Sequence, residues 1–365
     1  METALTYALT YLLHVPGTEF GNLEVTILSD NDYYSHTGRR QQRFTAFDVS
    51  LEKAHKTGLG SSASLVTSLT AALITVLSPV ASDEQSIDRR RIHNLAQAAH
   101  CAAQGKVGSG FDVAAATYGS CLYRRFSASI LENVNEPARL NFGEQLHRIV
   151  EDLDDTHKWN AELVQEAAQL PATLQLAMCD VDCGSQSPRM AKKVLAWREA
   201  NRAEADVLWA SLQQGLVDLV TELRSLAALA ADISKPNYQN LHDILSTIRS
   251  LVREMSDKSG VPIEPASQTK LIDACSNVKG VVGGVVPGAG GFDAIALLLE
   301  NKPQTMQDLQ NLLTEWNNKA TAATTDEPTS TSRGKVNLLH VQQDLDGVRV
   351  ESEDVYSSYL SDQNR

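Results

Sequence analysis

The nine residues Lys56-Thr57-Gly58-Leu59-Gly60-Ser61-Ser62-Ala63-Ser64 run straight into the apolar stretch 65–77, so a glycine-rich loop must turn into a buried helix here. The first turn of a helix has N–H groups without intrahelical partners and a partial positive charge. Glycines before it let a ligand approach the backbone, and the combination favours a bound anion, most often a phosphate. Lys56 adds a point charge at the same place. The loop does not close with Gly-Lys-Ser/Thr, so it is not the P-loop of the common NTPases. A plain helix cap would use the same residues.

Two further loops weigh against a purely structural reading. In Gly105-Lys106-Val107-Gly108-Ser109-Gly110-Phe111-Asp112 a single carboxylate follows a glycine run and precedes small residues. Asp112 suits either a ligand site or an N-cap on residues 113–117. Between 280 and 291 there are six glycines in twelve residues, which supply backbone donors with little side-chain bulk, or a tight turn before the apolar stretch 294–299.

Taken together, these segments resemble the GHMP small-molecule kinases. Lys56-Thr57-Gly58-Leu59-Gly60-Ser61-Ser62-Ala63 is similar to that family's second motif. Gln97-Ala98-Ala99-His100, the run Gln104 to Asp112, Tyr118-Gly119-Ser120, Tyr123-Arg124-Arg125-Phe126, the run Val286 to Ile295 and Asp346-Gly347-Val348-Arg349 resemble the fungal phosphomevalonate kinases. The resemblance implies an α+β, two-lobed GHMP kinase fold. Its N-terminal ribosomal-protein-like lobe would span 1–168 and its C-terminal ferredoxin-like α/β lobe 169–365, with a disordered insert near 319–334. The family's first motif, a strand with a Pro-Gly-Lys turn and a Gly-Gly-Tyr segment, has no counterpart here, so the N-terminal lobe is expected to be truncated at its start.

The resemblance also implies ATP and Mg²⁺, with 5-phosphomevalonate as small-molecule substrate. Asp112 and Lys56 become the catalytic candidates. Lys56, Gly58, Leu59, Gly60, Ser61, Ser62 and Ala63 would hold the nucleotide, with Ser62 on the metal. Lys106, Ser109, Gly110, Ser185, Gly288, Ala289 and Gly290 would face the substrate. Related kinases carry a glutamate as magnesium ligand on the helix before the catalytic aspartate; here that helix reads Ala99-His100-Cys101-Ala102-Ala103-Gln104. His100 reads as a packed histidine or a substrate-side hydrogen bonder. In Tyr123-Arg124-Arg125 an arginine could face substrate phosphate or simply be solvated. The alternative to an enzyme is a nucleotide-binding or regulatory remnant, because the first motif is missing.

Composition sets outer limits. A formal net charge of −13 argues against nucleic acid and anionic membranes as partners. The five cysteines, Cys101, Cys121, Cys179, Cys183 and Cys275, have no metal-ligand spacing and suit reduced thiols in a cytoplasmic enzyme, monomer or homodimer. No run of about twenty apolar residues suggests a membrane span.

Periodicity predicts helices over 2–14 (Leu5, Ala8, Leu9, Leu12 and Leu13 inward), 62–77, 89–104, 187–231 and 239–258. Strands are predicted at 23–28, 44–51, 174–179, 336–341 and 348–350. The run Arg89-Arg90-Arg91 is an unfavourable charge for a helix start, explicable by solvent or a partner.

Overall fold

The computed structural model describes residues 1–34, 43–44, 56–78, 87–165, 169–181, 187–229, 237–323 and 334–360. The chain forms two compact units and passes between them four times. The first comprises Met1–Thr26, Gly60–Ala167 and Asp344–Arg365; the second comprises Ile27–Leu59 and Ala168–Gln343.

The first unit is mainly helical: α1 (Glu2–Leu12), α2 (Ser61–Leu77), α3 (Arg89–Gln104), α4 (Phe111–Tyr118), the short α5 (Ser129–Glu132) and α6 (Phe142–Val150). The strands β1 (Leu122–Arg124) and β2 (Glu162–Val164) form an antiparallel pair, Tyr123 opposite Leu163. The face of α1 that is buried is Ala4, Tyr7, Ala8, Tyr11 and Leu12, whereas Leu13 is 68% exposed. The expected leucine stripe is therefore rotated. The tyrosines bury because their rings find partners: Tyr7 meets Phe142 edge-on at 5.0 Å, and Tyr11 donates to Glu151 Oε1 at 2.5 Å.

Glu151 also accounts for the arginine-rich start of α3. Arg91 reaches it at 2.9 Å and Arg90 at 3.6 Å, Arg89 donates to the Asp346 carbonyl, and the Asp88 side chain caps Arg91 N–H. Arg90 and Arg91 are thus paired with a carboxylate within the unit, Arg89 is held by a carbonyl, and the Asp88 carboxylate sits where the helix dipole favours it.

Residues 23–28 alternate like a strand but form none. Leu23, Val25 and Ile27 are 45, 50 and 41% exposed, and no ladder joins them to the described residues. Alternation marks a strand only where an edge is available to pair with it. Residues 348–350 likewise form no strand. The expected strand 44–51 lies outside the described residues beyond Phe44.

The second unit is built on an antiparallel sheet in the order β4-β5-β3-β6. Its strands are β3 (Leu174–Val181), β4 (Val281–Val285), β5 (Ala294–Glu300) and β6 (Val336–Leu339). Its helices are α7 (Ser187–Ala200), α8 (Arg202–Leu229), α9 (Gln239–Ser259), α10 (Ala266–Ser276) and α11 (Pro303–Ala323). Strand alternation distributes the core over both faces. Ile295, Leu297 and Leu299 lie with Leu271, Ile272, Leu309 and Leu313 of α10 and α11, while Leu298 lies with Leu223, Leu226, Leu241 and Leu245 of α8 and α9. The predicted helix 187–231 is two helices separated at Asn201. The insert expected at 319–334 begins as helix, since α11 continues to Ala323; residues 324–333 lie outside the described residues. A final helical turn, α12 (Ser357–Leu360), belongs to the first unit.

Candidate active site

In the first unit, α2 begins at Gly60, which adopts φ 76° in the left-handed region that favours glycine. Its carbonyl accepts the first helical bond, from Ser64 N–H at 3.0 Å. No side chain caps this helix and its first turn contains no acid. The N–H groups of Ser61, Ser62 and Ala63 therefore begin a 17-residue helix with no carboxylate of its own in the first turn. A Cβ placed on Gly60 would lie 3.5 Å from Asp112 Cβ, so the start of α2 and the aspartate of α4 are side by side.

Asp112 is not the N-cap that its position suggests. Gly110 caps α4 with φ 76°, and Asp112 lies one residue into the helix, where a carboxylate suits the dipole. Its Oδ1 accepts the Val113 N–H at 3.0 Å. The approach to α4 is fixed from outside by three side chains: Gln97 donates to the Gly110 carbonyl at 2.7 Å, Tyr123 to Ser109 at 3.2 Å, and Arg125 to Val107 at 3.0 Å. Arg125 thus serves the loop, and Arg124 forms an exposed pair with Glu162. Lys106 and Ser109 are exposed on this loop. Lys106 also lines a cavity of about 310 Å³ with Tyr7, Cys101, Val107, Leu131 and Glu132.

His100 of α3 is buried and brings Nε2 to 3.2 Å from Ser62 Oγ and 3.1 Å from Gln104 Nε2. It therefore orients the hydroxyl expected to serve the metal. Among the described residues no group of three or more His, Cys, Asp or Glu could hold an ion. The Ser62 hydroxyl beside the first-turn N–H groups of α2 would suit Mg²⁺ carried on phosphates, which keeps several waters.

The second unit holds the other candidates. Lys56 is exposed and bridges to Tyr34, while Thr57 is anchored through its hydroxyl to the Asp32 carbonyl at 2.6 Å and its N–H to Tyr33 at 3.2 Å. Gly58 is exposed with open space where a Cβ would be, and Leu59 is half-buried. In the late glycine loop, Gly290 donates its N–H to Pro287 at 3.2 Å and Gly291 to Ile263 at 2.8 Å. Gly290 is a close-approach position: a Cβ there would sit 2.5 Å from the Ile263 carbonyl oxygen. Its donor is used inside the loop. Ser185 lies outside the described residues.

Sequence reasoning passed over His93 and the polar atoms of Gln97, although both fall in α3. His93 is 2% exposed, and burial, opposed by a hydrogen bond to Asn94, holds its pKa down at about 4. Its spacing from Gln97, four residues, was the available signal.

Residues 33–120 match the family model described as the GHMP kinases N-terminal domain. The chain is 47% identical over 368 residues to the phosphomevalonate kinase of Aspergillus fumigatus, covering 99% of this chain and 75% of that one. It is 45% identical over 372 residues to the phosphomevalonate kinase of Gibberella zeae, covering 99% and 78%. Among solved structures, a Lin0012 protein from Listeria innocua superposes with TM-score 0.56 at 18% identity, over 80% of this chain and 70% of that one. The Streptococcus pneumoniae phosphomevalonate kinase gives 0.51 at 18%, over 80% and 71%. These two share the fold.

Proposed function

The chain belongs to the phosphomevalonate kinases of the GHMP kinase family, and on that premise we propose how its residues join two phosphates. The γ-phosphoryl group of ATP passes to (R)-5-phosphomevalonate, giving 5-diphosphomevalonate and ADP, a step that supplies isoprenoids and sterols. Similarity to enzymes of this name over 99% of the chain favours a working kinase over a nucleotide-binding remnant.

Bringing two anions together requires charge neutralisation and in-line positioning, with little covalent work for the protein. The N–H groups of Ser61, Ser62 and Ala63, with the backbone of Gly58, Leu59 and Gly60, cradle the triphosphate, and Lys56 neutralises part of its charge. By the family resemblance, Lys106, Ser109, Gly110, Ser185, Gly288, Ala289 and Gly290 are the residues proposed to serve the acceptor. Ser62 Oγ, oriented by His100, is the protein group that would hold Mg²⁺, which when bound offsets charge on the phosphates. Asp112 orients the attacking phosphate oxygen and takes any proton it still carries; near neutral pH that oxygen is largely ionised, so orientation is the larger part. The observation that supports this division is the packing of Gly60 against Asp112, which sets a carboxylate beside an acid-free helix start. The cytoplasm is the proposed compartment, supported by the free thiols of Cys101, Cys121, Cys179 and Cys275.

ADP release with ATP, Mg²⁺ and 5-phosphomevalonate, run beside mevalonate, tests the reading. Turnover should be confined to the phosphorylated acceptor. Asp112→Ala should lower it by about 10²–10⁴, the range for a lost positioning base, while nucleotide still binds. Unchanged turnover in that variant would remove Asp112 from the reaction.

A further inference from the structure

Five side-chain and backbone groups inside the first unit form one connected set of hydrogen bonds, from the Val150 carbonyl to the carbonyl of the residue capping α4. Asn94 Nδ2 donates to the Val150 carbonyl at 3.0 Å. His93 Nδ1 lies 3.2 Å from Asn94 Oδ1, and His93 Nε2 lies 3.3 Å from Gln97 Nε2. Gln97 Nε2 also donates to the Gly110 carbonyl at 2.7 Å.

The protons can be placed in only one way. Asn94 turns its amide nitrogen to the Val150 carbonyl, so the atom facing His93 is the amide oxygen, which only accepts, and His93 must carry its proton on Nδ1. His93 Nε2 is then an acceptor and takes one of the two amide hydrogens of Gln97, leaving the other for Gly110. Turning the Gln97 amide over would set its oxygen against the Gly110 carbonyl. The chain needs a neutral imidazole, and burial of His93 supplies it. All three side chains are at most 2% exposed, so water does not compete. Gln97 Oε1 is buried without a partner, a cost accepted for the orientation of the amide.

Steric fit points the same way. A Cβ on Gly110 would lie 2.7 Å from Gln97 Nε2 and 2.8 Å from Tyr123 Oη. The cap of α4 is thus pressed against both side chains, and Asp112 follows two residues later. We propose that Gln97 is a positioning residue for the phosphoryl transfer: through the Gly110 carbonyl it fixes the start of α4, and so the place of the Asp112 carboxylate. This rests on the reading of Asp112 given above.

Gln97→Met tests it, because methionine has similar length and no donor. At a temperature well below the unfolding midpoint, kcat should fall about 10- to 100-fold, as a misplacement on the scale of an ångström would cause. KM for ATP should stay within about twofold, because the start of α2 is untouched. Amide hydrogen exchange should quicken in the segment spanning 108–118 and not in α2. A kcat within twofold of the parent, or a loss that only follows the unfolded fraction, would overturn the inference. Should Gln97→Met fail to fold, Tyr123→Phe probes the same turn from the strand side: it should lower kcat several-fold with KM for ATP unchanged, and wild-type kcat there would count against the proposal. Asp112→Asn, measured in parallel, separates the two ideas. If it is inactive while Gln97→Met is fully active, only the positioning role fails; if it retains full turnover, the assignment of Asp112 itself is wrong.

Discussion

His93 shows how much one residue's surroundings can reassign it. Read alone it is a titratable group on a helix; in the fold it lies between Tyr118 and Trp159, with ring centroids 5.5 and 5.6 Å away, and is kept neutral. Its folded pKa of about 4 lies below the unfolded value near 6.5. The unfolded chain therefore takes up a proton between those values while the folded chain does not, and stability falls as pH drops from 6.5 towards 4, levelling off below. Between pH 7 and 5 the loss from this group should be about 2 kcal/mol. Urea unfolding of the parent and of His93→Gln at both pH values isolates it: the variant should show a smaller acid loss by that amount, and equal losses would mean His93 is not held neutral.

At the scale of elements, the second unit depends on a buried ion cluster joining α9 to α10. Glu264, 1% exposed at its side chain, takes Arg249 at 2.7 Å and Arg253 at 3.1 Å, and accepts from Thr269 at 3.0 Å. Arg249 also reaches Asp273 at 2.8 Å, but that carboxylate is 58% exposed. Removing one partner of a buried pair leaves an uncompensated charge, so Glu264→Ala should cost roughly 3–5 kcal/mol. Asp273→Ala, on the solvent side of the same arginine, should cost no more than about 1 kcal/mol. Denaturant midpoints compare them directly, and similar costs for both would mean the cluster is not closed to water. The same scale explains the elements that alternation misjudged. Residues 23–28 have the pattern of a strand and no described edge to join, whereas 294–300 has a neighbour on each side and forms β5.

For the whole molecule, the net charge of −13 means that a triphosphate is held against the overall field, by local donors and cations. Binding to the native state alone stabilises it by RT ln(1 + [L]/Kd), about 2.7 kcal/mol at a hundredfold excess over Kd. Saturating MgATP should raise the unfolding midpoint of the parent and of Asp112→Ala by the same margin if Asp112 acts on the acceptor, as proposed. A shift lost in the variant would place Asp112 in nucleotide binding; a shift absent from both would mean that this chain holds no nucleotide.

The sequence by itself determined the family and marked the candidate site residues, since a glycine-rich loop entering a buried helix and a Ser-Gly-Phe-Asp segment are local patterns whose backbone demands can be read residue by residue. It also determined the helices predicted at 62–77, 89–104 and 239–258, the second of which ends at a left-handed glycine, Gly105. Only the tertiary structure decided which residues hold the turn before Asp112, what holds the three arginines of α3, and which alternating segments become strands. Those outcomes depend on partners distant in the chain (Glu151 for Arg91, Gly110 for Gln97), and burial that turns a histidine into a neutral link is a property of the packed interior, which no local pattern carries.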